Sequence, residues 1–186
     1  MPQPLKVFIS SPADVTPERR RAALIIEQLA KDYARFFDIS FVLWETEPML
    51  ASGHFQDSIT PPGDCDIVLL ILWSRLGTLL PERTELREYR GLDGRAPVTG
   101  TEWEFENALA ARQHRPAPDI LAYRKAVAPT VSLKDKAAKV AAEDQWERLE
   151  AFWAAIFSIA AYFAPPSANS STSMASPRRS RRTCAT

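Results

Sequence analysis

The segment Gly100-Thr101-Glu102-Trp103-Glu104-Phe105-Glu106-Asn107-Ala108 sets three carboxylates within five residues of a helical pattern. At about 100° per residue, Phe105, Ala108 and Leu109 centre the apolar face of that helix, with Glu102 and Glu104 flanking it on opposite sides. Glu106 lies furthest from the centre and is expected in solvent. Glu104 shares its side with Ala108 and Ala111, whose small side chains leave room for a ligand. A carboxylate in the first helical turn is held ionised by the helix dipole, an effect of up to about 1 kcal/mol. An ionised carboxylate is what a reaction through a cationic transition state needs. The plain alternative is that all three are ordinary helix-start acids. Angles alone separate the three only weakly.

Positioning such a group requires a scaffold, and the flanking pattern supplies one. Leu5–Ile9 and Ile39–Trp44 read as strands, and the continuous apolar run Asp66–Trp73 as a central parallel strand covered on both faces. Asp119–Tyr123 is a fourth strand, set off by a turn bracketed by Pro116 and Pro118. Between the first two, Thr16 reads as an N-cap with Pro17 at the first helical position. Ala22, Ile25, Ile26, Leu29, Tyr33 and Phe36 then form a helical stripe running to about Phe37. A short helix is expected over His54–Ile59, loops over residues 74–100, a helix from Thr101 to about Arg112, and a last helix from about Leu133 to Ala164. All six glycines fall between Gly53 and Gly100, so the elaborated loops surround the second and third strands. Strands alternating with helices predict an α/β fold with a parallel sheet of flavodoxin-like order 2-1-3-4 and helices on both faces.

In such a sheet ligands bind beyond the carboxyl ends of the strands, near the switch point between strands one and three. Those ends are Ser10 and Ser11, Trp44 and Glu45, Trp73-Ser74-Arg75, and Tyr123-Arg124. The helix start Thr101-Glu102-Trp103-Glu104 faces the same rim, so hydroxyls, aromatic rings, an arginine and carboxylates are expected to converge there.

Composition bounds the possibilities. The 186 residues are 46% hydrophobic, with 23 basic against 23 acidic side chains, which suits one domain plus a tail. Residues 1–164 form the expected domain, with 19 basic and 23 acidic side chains. Residues 165–186 hold four arginines, no acid and mostly Ser, Pro, Ala and Thr, and read as a disordered tail. The Arg178–Arg182 run is either solvated charge or a contact to nucleic acid or anionic lipid; the balanced charge removes the simplest case for a nucleic-acid binder. Cys65, Cys184, His54 and His114 match no zinc spacing, so no metal is expected, and Cys65 reads as a buried thiol. The N-terminus shows no secretion signal. Ala151–Ala164, the longest uncharged stretch of the folded part, would span about 21 Å as a helix, short of the roughly 30 Å hydrocarbon core. A soluble cytoplasmic protein is expected. That stretch is apolar nearly all round, so it either docks on its own sheet or awaits a partner segment.

Three motifs carry a resemblance: KVFISSPADVTPER, DIVLLILWSRLGT and TGTEWEFENALAA. In order and spacing they resemble the TIR-like (Toll/interleukin-1-receptor-like) domain at the N-terminus of bacterial NACHT-type signalling ATPases, often followed by WD-repeat propellers. The likeness spans roughly residues 5 to 157. Many TIR domains are NAD⁺ glycohydrolases whose catalytic glutamate begins this helix. Nucleoside deoxyribosyltransferases are similar, with Gly-Thr, two residues, a nucleophilic glutamate and an alanine four later. Gly100-Thr101-x-x-Glu104-x-x-x-Ala108 matches that pattern and selects Glu104. The chain departs from the TIR pattern at Gly100, where TIR enzymes often place a tryptophan.

The resemblance implies NAD⁺ as substrate, with no further cofactor. Nicotinamide is already a cationic leaving group, so the bond breaks without a general acid, and scarce histidine is no obstacle. What the site must supply is stabilisation of positive charge at the ribose C1′, electrostatically or by transient covalent attack. Glu104 takes that role. Ser10, Ser11 and Thr101 are candidates for ribose or phosphate hydrogen bonds, and Arg75 for the pyrophosphate. Trp44 and Trp73 stack on a base or pack inward, and Glu45 binds a ribose hydroxyl or simply ends its strand. TIR enzymes act when clustered, so a homo-oligomer is the expected partner state, without membrane or nucleic acid. Two rival readings stay open. One is a non-catalytic self-association module. The other is a nucleoside transferase or hydrolase, for which no acid able to protonate a neutral purine is evident.

Overall fold

The computed structural model describes residues 1–43, 60–80, 99–132 and 134–163, with side chains of the last helix described to Ile156. The expected short helix at His54–Ile59 and the tail 165–186 lie outside the described residues, as do Trp44 and Glu45. Four parallel strands, β1 (Gln3–Ser10), β2 (Phe37–Val42), β3 (Ile67–Leu72) and β4 (Asp119–Arg124), form one sheet in the order β2-β1-β3-β4. Among the described residues the α-helices are α1 (Thr16–Asp32), α2 (Gly100–Arg112) and α3 (Lys136–Phe163). The fold is α/β and flavodoxin-like.

Strand alternation assigns the helices to faces. Val7, Ile9 and Ile71 pack with Val15, Ala23 and Ile26 of the α1 segment. The alternate residues Phe8 and Val68 pack with Ala108 of α2. Leu70 and Leu72 pack with Phe105 and Leu109 of α2 and with Leu149, Phe152 and Ile156 of α3. Thus α1 covers one face and α2 and α3 the other. The interior strands β1 and β3 are buried on both sides, which explains the unbroken apolar run in β3. The apolar final helix does dock on its own sheet, with the Phe152 ring edge-on to Phe105 at 5.3 Å. No helix among the described residues is long and apolar enough to cross a membrane.

Several boundaries shift by a few residues from the sequence reading, and those around α1 have a clear cause. α1 stops at Asp32, because Phe37 is drawn into the sheet opposite Gln3 and the Gln3 N–H donates to the Phe36 carbonyl. Tyr33 and Phe36 had helical spacing but sit in the turn, and β2 accordingly begins earlier, at Phe37. Thr16 is the first helical residue rather than the cap; a 3-10 turn over Ala13–Val15 precedes it, and its hydroxyl donates to the Ala13 carbonyl at 2.8 Å.

The docking of α3 is open to measurement by urea denaturation. Truncating the fully buried Leu149 to alanine is expected to remove about 2–5 kcal/mol of stability. Val140→Ala, at a position 65% exposed on the same helix, is expected to change it by less than about 0.5 kcal/mol. Equal effects would mean that the helix does not pack as described.

Candidate functional site

Ser10 ends β1 on the same side as Phe8, the α2 face, and is fully buried there. α2 approaches the sheet closely at Ala108, which touches the Phe8 and Val68 layer. Glu104 stands one turn earlier on the same side of the helix, above the end of β1. The Ser10 hydroxyl donates to Glu104 Oε2 at 2.6 Å, a buried, charge-assisted hydrogen bond between elements 94 residues apart.

Glu104 borders a cavity of about 310 Å³. Its described walls come from Ser11, Pro12 and Ala13 after β1, from Gly77–Leu80 after β3, and from Gly100, Thr101 and Glu104 of α2. Glu104 is the one ionisable side chain among those residues. The second wall depends on Gly77, whose φ of +125° suits glycine; a Cβ there would also meet Thr101 Oγ1 at 3.0 Å. From this turn Leu79 pairs with Thr99, and the Gly100 N–H donates to the Thr78 carbonyl. A Cβ on Gly100 itself would meet nothing within 4 Å.

The three glutamates now separate by role. Thr99 is the N-cap of α2 and forms a capping box with Glu102: the Glu102 N–H donates to the Thr99 hydroxyl and the Thr99 N–H to Glu102 Oε2 at 2.8 Å. Glu102 is therefore occupied with capping the start of the helix. Glu106, expected in solvent, is only 7% exposed. The outward side of α2 is instead made by Trp103, Asn107 and Ala110, so Glu106 lies on a flank that the surrounding chain covers.

The expectation that the helix dipole holds Glu104 ionised is also corrected. With α2 starting at Gly100, Glu104 is its fifth residue, beyond the first turn where the dipole acts. Burial dominates and pushes the Glu104 carboxyl up to about 7, against the opposing pull of the Ser10 hydrogen bond and the Arg19 charge.

Of the sequence candidates, Ser10, Ser11, Thr101 and Glu104 come together; the other described ones, Trp73, Ser74 and Arg75, go elsewhere. The Trp73 ring lies under Lys125 Nζ at 4.1 Å and its Nε1 donates to the Val127 carbonyl at 2.6 Å, so it packs inward on the α1 face. The Ser74 hydroxyl and N–H both donate to Asp14 Oδ2, at 2.8 and 2.9 Å, which ties the β1–α1 connection to the end of β3. Arg75 lines a different hollow, against the start of α3. Arg124 lies over the Trp146 and Trp153 rings and pairs with Glu150, and Tyr123 is exposed on the α1 face.

Sequence reasoning missed Arg19. It is 1% exposed, and its guanidinium donates to the Ser11 carbonyl and hydroxyl at 3.2 and 3.0 Å and to Thr16 Oγ1 at 3.2 Å. It thereby braces the loop that walls the cavity. The signal was present: Arg19, Ala23 and Ile26 share one helical face, and a charge on a buried stripe is unusual. The Thr99-x-x-Glu102 box was equally readable. Among the described residues no group of three or more His, Cys, Asp or Glu is placed to hold a metal ion. Burial pushes the Cys65 thiol up to about 11, which makes it an inert core group.

No protein-family model, curated protein or solved structure matches the chain.

The raised Glu104 value has a consequence for stability. Between the ordinary carboxyl value of 4.5 and about 7, the folded protein keeps a proton that the unfolded chain has released. Stability therefore falls as pH rises through that window, and the full penalty, on the order of 3 kcal/mol, is present above it. Glu104→Gln removes the titration. In urea denaturation the variant is expected to gain on the wild type by that amount between about pH 5 and about pH 8; parallel pH profiles would contradict the burial of this carboxyl.

Proposed function

We propose that this domain cleaves the nicotinamide–ribose bond of NAD⁺, acting when clustered, with Glu104 as nucleophile or electrostatic stabiliser. The observation that carries the reading is Glu104, on the wall of a cavity at the switch point of a 2-1-3-4 sheet and held from behind by the buried Ser10 hydroxyl. Motif resemblance to TIR-like domains adds independent support. About 310 Å³ is at the small end of ligand pockets and suits one nucleoside-sized half of a dinucleotide.

The chemistry follows from the residues. A pyridinium-bearing ribose entering the cavity brings a positive charge beside a carboxyl poised near neutrality. Opposite charge favours the ionised form, so Glu104 gives up its proton as the substrate binds. As the C1′–N bond lengthens, the bonding pair leaves with nicotinamide, which departs neutral, and positive charge moves to the ribose. The Glu104 carboxylate, desolvated and held by Ser10, is then opposite that charge in a setting where water screens it little. Water then forms the C1′–O bond, one of its O–H bonds breaks, and the proton passes to solvent as the ribose product is released. Ser11 and Thr101 border the same space and, in this reading, bind the ribose hydroxyls.

Nicotinamide release by the chain, clustered through a fused oligomerising segment, tests the assignment. Glu104→Ala is expected to reduce turnover by at least about 10³-fold, the scale of losing the main charge stabiliser; robust turnover in that variant sinks it. In the wild type, kcat/KM is expected to rise with pH and level off above about 7, following Glu104 ionisation. Ser10→Ala removes a hydrogen bond that holds the carboxyl down, so its profile is expected to shift to higher pH. An unshifted profile would separate Ser10 from the titrating group.

A further inference from the structure

α1 carries an apolar stripe that its own sheet does not use. The helix buries Arg19, Ala23 and Ile26. Ile25 and Leu29 are 49% and 41% exposed, and the line continues to Tyr33 at 49%. The sheet beside it is open as well. In the β3–β4 register Leu121 pairs with Leu69 and Tyr123 with Ile71. Ile71 packs against α1, so Leu121 and Tyr123 lie on the α1 face, where they are 46% and 58% exposed. Single exposed apolar residues need no explanation. A stripe along one helix flanking an uncovered strip of sheet marks an interaction surface.

The charges at the two ends of the stripe select what fits it. Arg21 lies one turn before Ile25, and Asp32 three residues after Leu29, all on one side of the helix. Eleven residues separate Arg21 from Asp32, about 16 Å of helix, too far for them to pair within one chain. They are, however, equidistant from the Ile26–Glu27 midpoint, and Ile25 and Leu29 are equidistant from Glu27. An identical helix laid antiparallel across the Ile26–Glu27 midpoint sets its Asp32 level with Arg21 and its Leu29 within one residue, about 1.5 Å, of level with Ile25. A two-fold axis then repeats both contacts. A parallel copy sets like charge against like.

We propose that α1 is a homodimer interface, in which two copies of this chain pack their α1 helices antiparallel, Ile25 on Leu29 and Arg21 paired with Asp32 of the second copy. The contact is self-complementary in shape and charge, and its exposed ends make it salt-sensitive. It stands apart from the proposed reaction, since none of these residues lines the Glu104 cavity.

Sedimentation velocity of the full chain over a concentration series tests it, with far-UV circular dichroism to check that each variant is folded. The wild type is expected to pass from monomer to dimer as concentration rises. Leu29→Glu and Arg21→Asp are each expected to weaken the dimer at least about tenfold. The double variant Arg21→Asp/Asp32→Arg reverses both charges together and is expected to recover the dimer. A wild type that stays monomeric, a dimer indifferent to Leu29→Glu, or a double variant no stronger than Arg21→Asp alone each overturns the proposal. Because the readout is mass, absence of NAD⁺ cleavage leaves this test intact.

Discussion

A carboxyl group that is 7% exposed must have a hydrogen-bond donor or give up its charge, and much of this structure follows from how Glu104 meets that demand. Ser10 supplies the donor from the last residue of β1, which requires α2 to cross above the β1 end at close range. Ala108 permits the approach, because a larger side chain would hold the helix away from Phe8 and Val68. The capping box of Thr99 and Glu102 fixes where α2 begins and so which residue falls over Ser10. Arg19 braces Ser11 next door and lends its positive charge to the same carboxyl. The compromise is incomplete, and Glu104 is left titrating near neutrality. A group poised between its two states is also one that a bound cation can switch.

The two faces of the sheet are built unequally. α2 and α3 together cover one face, sealing Leu70 and Leu72 under Phe105, Leu149 and Phe152. The other face has α1 alone among the described helices, and β4 keeps Leu121 and Tyr123 open there. Where α1 approaches β4, the contact is polar: Lys125 reaches Glu18 at 2.7 Å while lying over Trp73. The proposed chemistry and the proposed association thus fall on opposite sides of one sheet, which lets each surface vary without disturbing the other.

Much of this was legible in the chain. Short-range pattern sufficed for the four strands, their parallel order and the last helix, because burial on two faces demands an unbroken apolar run and burial on one demands a stripe. It also put the start of α2 at the carboxyl rim of the sheet, where Glu104 meets Ser10. Pattern failed where two local rules competed. Tyr33 and Phe36 fit helical spacing, yet pairing of Phe37 with Gln3 ended α1 first. Ile25 and Leu29 belonged to the same apolar series as Ile26, and only Ile26 turned inward.

Sequence alone determined the α/β class, the sheet order and a short list of polar residues at the strand ends, since these depend on the hydrophobic period and on chain connectivity. Tertiary structure decided which members of that list meet. Ser10 and Glu104 are 94 residues apart, and no local rule relates a strand end to a helix turn at that separation. Trp73, Ser74 and Arg75 had equal claim to the rim and were drawn to Val127, Asp14 and the α3 side instead. The state of the Glu104 carboxyl was likewise beyond sequence. Burial favours the acid, the Ser10 hydrogen bond and the Arg19 charge favour the ion, and burial is a property of everything packed around the group.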